Sequence, residues 1–278
     1  MSTLEAVIAS ANGITDEVLK GNALALLKAM TTERTSIGDK IIRWSPSSLR
    51  IVQATTNTDN IDGKVTLGDI VLGSVPAKGP LRVYILRSWD SRALWDQDLS
   101  RPNVICSSPD GKKGWKFGDC RSCENSKFQG DTPSLCRQQK TFLAITEDLT
   151  EIIRIDLSRT QLKIGAELEK RLSKMATMPF ERVFELKTRR NETKKNIYNL
   201  DPIRTDDYSP AETTGFLNTV FDLFAERRRE ELTSYYAKME EYKSKKANVE
   251  TDVPAPAPQT ETKYEEPAAG EALPDYTM

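Results

Sequence analysis

Histidine is absent from this chain of 278 residues. Histidine is the commonest general base and a frequent ligand of catalytic metals, so its absence argues against most hydrolase and zinc-enzyme mechanisms. The sequence also lacks an apolar run long enough to cross a membrane, a secretory signal at its start, and a phosphate-binding G-x-x-x-x-G-K-[S/T] motif. These absences predict a non-enzymatic cytoplasmic protein that does not associate with membranes.

Cysteine is scarce, and its four copies fall in one short stretch, at Cys106, Cys120, Cys123 and Cys136. The middle pair forms a C-x-x-C turn, which allows two thiolates to bind the same ion, and the outer pair can complete a tetrahedral site. The segments between them are rich in Gly, Pro, Asp and Ser, which form turns. We therefore expect one structural Zn²⁺ per chain, because a four-thiolate site leaves no open coordination position. A disulfide or redox pair, or four unrelated thiols, are the alternatives.

The net charge of −1 hides an uneven distribution of charge. Residues 248–278 carry seven acidic residues and one lysine, which leaves the first 247 residues with a net charge of +5. The acidic end is rich in Pro and poor in large apolar side chains, so we expect it to be disordered. A basic body favours a polyanionic partner, and an acidic tail favours a regulatory or recruiting role.

The pattern of apolar residues divides the chain into four parts. An N-terminal helical extension is expected over residues 1–45, with a helix at about 14–30, and a charged helix over 205–247. Between them, β-branched and aromatic runs at 48–55, 64–72 and 81–89 are typical of consecutive antiparallel strands. The same region continues with a cysteine insertion at 104–138, a hairpin over 140–157, a helix to about 175 and a second hairpin over 180–201.

This order of elements in residues 46–204 predicts an α+β protein with a mainly β core. We expect an OB-fold-like five-stranded barrel with a zinc-binding loop insertion, flanking helices and a disordered acidic tail. Among small barrels, the OB-fold is the one that commonly binds single-stranded nucleic acid on its open face.

Aromatic and basic residues are interleaved in several of these segments. Flat rings stack on exposed bases while cations follow the phosphates, so this mixture is typical of a single-strand groove with little sequence preference. Alternation along residues 81–89 places Arg82 and Tyr84 on one face, which we expect to be a base-stacking surface. The candidate nucleic-acid-binding residues are Arg43, Trp44, Arg82, Tyr84, Arg87, Trp89, Lys112, Lys113, Trp115, Lys116, Phe117, Arg121, Arg189 and Arg190. The alternatives are that the rings pack into the barrel rim and that the turn at 189–195 is merely solvated.

Taken together, these features resemble single-stranded DNA-binding proteins encoded by bacteriophages. The likeness runs from about residue 46 to residue 204 and is strongest where the four cysteines are followed by strands at 142–145 and 152–157, a helix, and a strand at 180–186. It implies an OB-fold with a zinc insertion, binding of single-stranded DNA in replication, recombination or repair, and a host-cell cytoplasmic location. It also implies an acidic tail that recruits replication or recombination proteins and competes with DNA for the basic groove. The ending at Met278 differs from the Asp-Asp-Phe type of bacterial single-strand binders.

The leading alternative is a zinc-ribbon adaptor. In that hypothesis the cysteine segment and the helix after Pro210 bind a polymerase or another replication or transcription protein, and the chain has no nucleic-acid groove.

Overall fold

The computed structural model describes residues 3–31, 46–54, 56, 58–77, 79–95, 104–128, 130, 133–194 and 197–251. Two candidate residues, Arg43 and Trp44, lie outside the described residues, as does the acidic segment from residue 252 onwards. The chain divides into two compact units, Met1–Ser234 and Tyr235–Met278. The sheet, the apolar cores and the candidate site described below lie in the first unit.

The described residues contain eleven strands. They are β1 (Ser47–Ile51), β2 (Ile70–Leu72), β3 (Val75–Pro76), β4 (Leu81–Trp95), β5 (Val104–Ser108), β6 (Lys113–Gly114), β7 (Gly118–Asp119), β8 (Cys136–Thr146), β9 (Ile152–Ser158), β10 (Arg182–Arg190) and β11 (Tyr198–Tyr208). Nine of them form one mixed, curled sheet in the order β11-β10-β4-β8-β9-β1-β2-β3, with β5 also paired to β4. Strands β6 and β7 form a separate hairpin. Among the described strands, only β1 and β9 pair in parallel.

Four α-helices complete the described structure: α1 (Thr3–Asn12), α2 (Glu17–Thr31), α3 (Leu162–Leu172) and α4 (Ala211–Thr251). The carboxylate of Asp16 accepts hydrogen bonds from the backbone N–H groups of Val18 at 2.9 Å and Leu19 at 3.0 Å, which fixes the start of α2. The helix predicted at about 14–30 is thus confirmed. Helix α1 was not predicted, because its ten residues give only a short periodic pattern before Gly13.

The sheet separates two apolar cores. On one side, alternate residues of β4 and β8, such as Val83, Ile85 and Phe142, pack with Leu168 and Leu172 of α3. On the other side, the intervening residues pack against α1, α2 and the N-terminal part of α4. Both faces of β4 are therefore buried between residues 83 and 86, because neighbouring side chains of a strand point to opposite faces.

The observed sheet corrects the expected strand plan in two respects. It is larger than a five-stranded barrel, because β1, β2 and β3 extend one edge and β5 joins β4. Of the three strands predicted at 48–55, 64–72 and 81–89, the first two pair antiparallel as expected, as β1 and β2, but the third does not continue the series: β2 pairs next with β3, and β4 pairs with β8, β10 and β5. The expected α+β class with a mainly β core and flanking helices is confirmed. In the part of the chain that the structure describes, no helix combines the length and apolar character needed to cross a membrane.

Candidate functional site

The four cysteines belong to a small module at the end of β4, which we call the cysteine module. It consists of residues 104–128 and the start of β8. Within it, β5 and the start of β8 pair with opposite edges of β4, so that Cys106 and Cys136 both lie opposite Leu94. Directly paired residues point to the same face of a sheet. The two thiols therefore flank the Leu94 side chain, and all three residues are buried together.

The C-x-x-C turn lies over this face and is held by backbone contacts. The Cys120 N–H donates to the carbonyl of Lys112 at 2.8 Å, next to the β6–β7 hairpin. The Ser126 hydroxyl lies 2.7 Å from both the Cys120 and the Cys123 carbonyl oxygens. As a result, all four cysteines line one small apolar cavity, together with Leu94, Gly114, Phe117, Gly118, Asn125 and Ser126.

The chemistry of this cavity fits a cation that prefers sulfur ligands. All four cysteines are free thiols. Burial raises the pKa of Cys120, and it raises the pKa of Cys136 to about 11, with a further increase from the neighbouring thiols. These shifts favour the protonated thiols, so a bound cation would have to offset them, because only the thiolate binds a metal. Among the described residues, however, no group of three or more His, Cys, Asp or Glu side chains is clustered as a metal site. The expected zinc site thus remains a proposal, supported by the shared cavity and its donor set.

Gly114 makes room for this arrangement of cysteines. A Cβ atom at position 114 would lie 2.6 Å from the Sγ of Cys106, well inside contact distance. Any other residue at this position would therefore require the Cys106 side chain or the neighbouring backbone to shift.

The surface of the module carries exposed cations and rings. Four predicted site residues are exposed here: Lys112, Lys113, Lys116 and Arg121. The Phe117 side chain is 44% exposed, and the ammonium of Lys116 lies 5.4 Å from the centre of its ring. Trp115 differs, because its ring is half-buried against the Leu94, Cys106 and Cys136 cluster. The module therefore brings five of its six predicted site residues to the surface and uses the sixth for packing.

The face of β4 expected to stack on bases is not open. Tyr84 is only 2% exposed and packs in the core beneath the helices. Burial raises its pKa to about 12. The Arg82 guanidinium forms ion pairs with Glu147 and Asp207, and these hydrogen bonds raise its pKa. We therefore leave both residues out of the proposed interface.

Two further candidates on β4 contact α4. The Arg87 guanidinium lies 4.0 Å from the centre of the Phe221 ring and donates to the Phe221 carbonyl at 3.3 Å. Burial lowers the pKa of Arg87. The Trp89 ring is covered by Arg228. Both residues therefore help to pack α4 on the sheet. For Trp89 this agrees with the alternative that the aromatic rings are packed and do not stack on bases.

The basic turn lies at the opposite end of β4 from the cysteine module. Strand β10 is antiparallel to β4 and continues past Leu81, so that Arg189 and Arg190 are exposed beyond that end of β4. The turn is shaped by Asn191, whose side-chain oxygen accepts hydrogen bonds from the N–H groups of Thr193 and Lys194. The structure therefore separates the predicted site residues into two basic surfaces.

Three residues outside the candidate set also stand out. Phe128 is 71% exposed in the cysteine module, where its position next to Lys127 was a visible signal in the sequence. Arg137, directly after Cys136, has a pKa lowered by burial and by the positive charge of Arg159. The sequence carries no signal for this pair of arginines, because only the β8–β9 hairpin brings them near each other.

Comparison of the chain with protein-family models, with curated proteins and with solved structures found no match.

Proposed function

We propose that this chain is a non-enzymatic single-stranded DNA-binding protein that acts in replication, recombination or repair with little sequence specificity. The proposal is supported mainly by the strands that the cysteine module and the basic turn follow. Strands β4, β8 and β9 form a meander, and β10 returns after α3 to pair with the first strand of that meander. This order is that of a Greek key.

The same order supports an OB-fold core made of β4, β8, β9, β10 and β11. The OB-fold is a five-stranded, partly open Greek-key barrel. The edge strands of these five, β9 and β11, are bridged by the segment that starts with β1. Strand β1 pairs with β9, and the side chain of Gln53 just beyond it exchanges hydrogen bonds of 2.7 and 2.8 Å with the backbone of Tyr198 on β11.

In an OB-fold, oligonucleotides bind to the face of the second and third strands and to the loops after the first and fourth strands. Here the loop after the first strand is the cysteine module, and the loop after the fourth is the basic turn at Arg189 and Arg190. Both loops carry exposed cations, which is the arrangement expected where a phosphate backbone runs between them.

The module supplies both kinds of contact that a single strand needs. Phe117 and Phe128 expose their rings in the module that also exposes Lys112, Lys116 and Arg121. Base–aromatic stacking tolerates any sequence, because every base has a flat face. A structural Zn²⁺ held by the four cysteines would brace the loops that carry these side chains and supply no chemistry of its own.

A salt series with a fluorescent oligothymidine tests this function. We expect tight binding at low salt, with the logarithm of affinity falling linearly with the logarithm of salt concentration, and little change when the base sequence is altered. A duplex of the same length should bind more weakly, because its bases are not available for stacking. Absence of oligonucleotide binding at low salt would overturn the proposal and favour the zinc-ribbon adaptor.

A further inference from the structure

Helix α3 carries a row of exposed charges on the face that is turned away from the core. Its other face is buried, with Leu168 and Leu172 packed against the sheet. Residues three, four, seven, eight and eleven positions apart lie on the same side of a helix, because one turn takes 3.6 residues. The exposed side therefore gathers five charged residues, which we call the α3 stripe: Lys163, Glu167, Lys170, Arg171 and Lys174. Four cations and one carboxylate leave this stripe with a net charge of +3.

The C-terminal part of the stripe forms a groove. Lys174 follows the last residue of α3 by two positions, and its N–H donates to the Arg171 carbonyl at 3.2 Å, which continues the final turn. The groove has a volume of about 220 Å³, is open to solvent and is lined by Glu167, Lys170, Arg171 and Lys174. All four side chains are charged and three of them are cations, so the groove favours an anionic ligand.

The cations of the stripe have no ion-pair partner among the described residues. Glu169, another carboxylate of α3, pairs instead with Lys140 on β8. Lys174 also lies three and four residues from Arg171 and Lys170, a spacing at which like charges destabilise a helix. An anion in the groove would remove this repulsion.

The start of α3 lies beside the strands that carry the basic turn. The side-chain oxygen of Gln161, the residue before α3, accepts a hydrogen bond from the Leu200 N–H at 3.1 Å. Leu200 on β11 pairs with Thr188 on β10, and Arg189 follows Thr188 at the basic turn. The stripe begins at Lys163, two residues after Gln161. Its first cation is therefore close to the strands of the second basic surface.

We propose that the α3 stripe binds backbone phosphates of the single strand where it continues past the basic turn. This inference rests on the proposed function and extends the DNA path beyond the two loops. Phosphate contacts carry no sequence information, which agrees with binding of little sequence specificity. Arginine offers paired N–H donors to phosphate oxygens, and lysine acts as a point charge. Cations in the last turn of a helix also interact favourably with its dipole, so stability and DNA affinity have to be measured separately.

The test is a triple variant that combines Lys170→Gln, Arg171→Gln and Lys174→Gln. Glutamine is a good helix former, so α3 should persist. Each phosphate contact that is lost should reduce the salt slope for oligothymidine by about 0.7, which lowers affinity at about 0.1 M salt about fivefold relative to 1 M. Glu167→Gln should have the opposite effect on affinity, because it removes the carboxylate that repels the phosphates. This second variant keeps the test valid if the triple variant is unstable, since unchanged affinity in Glu167→Gln counts against the inference.

Lys28→Gln is the matched control for Lys170→Gln, because each removes a lysine from the last turn of a helix. Its affinity and salt slope should equal those of the wild type. Equal losses in these two single variants would indicate a general effect of charge and overturn the inference. Wild-type affinity and slope in a folded triple variant would overturn it as well.

Inorganic phosphate separates the two sources of the anion. If it raises the melting temperature of the wild type but not of the triple variant, while oligonucleotide affinity is equal in both, the groove binds free phosphate and the inference is wrong. A wild-type protein that fails to bind the oligonucleotide would refute the proposed function itself, which is a distinct result.

Discussion

The guanidinium of Arg228 lies 4.8 Å from the centre of the Trp89 ring. The same guanidinium donates a hydrogen bond to the carbonyl oxygen of Pro109, at the base of the cysteine module. One side chain of α4 therefore joins the middle of β4 to the loop that carries the cysteines. This contact gives the N-terminal part of α4, which a bare OB-fold does not need, a role in positioning the module.

Replacement of Arg228 tests this role. Arg228→Ala removes both the cation–π contact with Trp89 and the hydrogen bond to Pro109. Together these stabilise the packing of α4 against β4 and the cysteine module by about 1–2 kcal/mol. We expect faster hydrogen exchange of the amides at 104–128 with little change in the exchange of β9 and β10. Arg229→Ala, at the exposed neighbouring position, is the control and should exchange like the wild type. Equal exchange of the module in both variants would show that α4 does not support it.

The metal content of the purified protein tests the proposed zinc site. Protein prepared under reducing conditions without chelator should contain about one zinc per chain, as four thiolate ligands require. Changing Cys120 and Cys123 together to Ser should release the metal and loosen the module. Arg121→Gln, between the two cysteines, removes no ligand and should retain it. Wild-type protein without metal would contradict the proposal.

The exposed rings of the module are expected to stack on bases. Phe117→Ala and Phe128→Ala should each weaken oligonucleotide binding by about 1–3 kcal/mol without changing the salt slope, because no phosphate contact is lost. Tyr208→Ala provides the comparison, since this ring is 59% exposed on β11 and stacks against Arg182, away from the module. Equal losses in all three variants would indicate that the module has no special part in binding.

Tyr84 gives a prediction for alkaline pH. Burial raises its pKa from the ordinary value of about 10 to about 12 in the folded protein. The folded state therefore favours the neutral phenol. Its contribution to the free energy of unfolding is fully present below pH 10 and is lost as the pH rises through 12. The wild type should lose up to about 3 kcal/mol of unfolding free energy relative to Tyr84→Phe over this interval. If the unfolding free energies of the wild type and Tyr84→Phe change with pH in the same way, Tyr84 is not buried.

The acidic tail is predicted to compete with DNA. Truncation after Lys246 should tighten oligonucleotide binding at low salt, and the gain should fade as salt screens the attraction between tail and body. The truncated protein should also fail to recruit replication or recombination proteins. Equal binding by the truncated and complete proteins at low salt would leave recruitment or solubility as the role of the tail.

The sequence predicted the local features of this protein better than its long-range contacts. Confinement of the four cysteines to one turn-rich stretch predicted a shared zinc site; the structure places all four around one cavity, but the described residues do not cluster as a metal site, so the zinc stays a prediction. Alternation along β4 correctly assigned Arg82 and Tyr84 to one face, but alternation does not tell what covers a face. The covering side chains come from α1, α2 and α4. Likewise, Trp89 was a candidate for stacking on bases, with packing into the barrel rim as the alternative, and the sequence did not decide between them because its partner, Arg228, is remote in the sequence.

The parallel pairing of β1 with β9 has a consequence for synthesis of the protein on the ribosome. Ser47 pairs with Ile153, so the first strand emerges more than a hundred residues before its partner. At about 5–20 residues per second, β1 waits on the order of 5–20 s without that neighbour. The hairpin of β8 and β9 needs only a short turn and can form at once, because local contacts close small loops. We therefore expect β1 to join the sheet late, and the nascent N-terminal region to need protection from aggregation until it does.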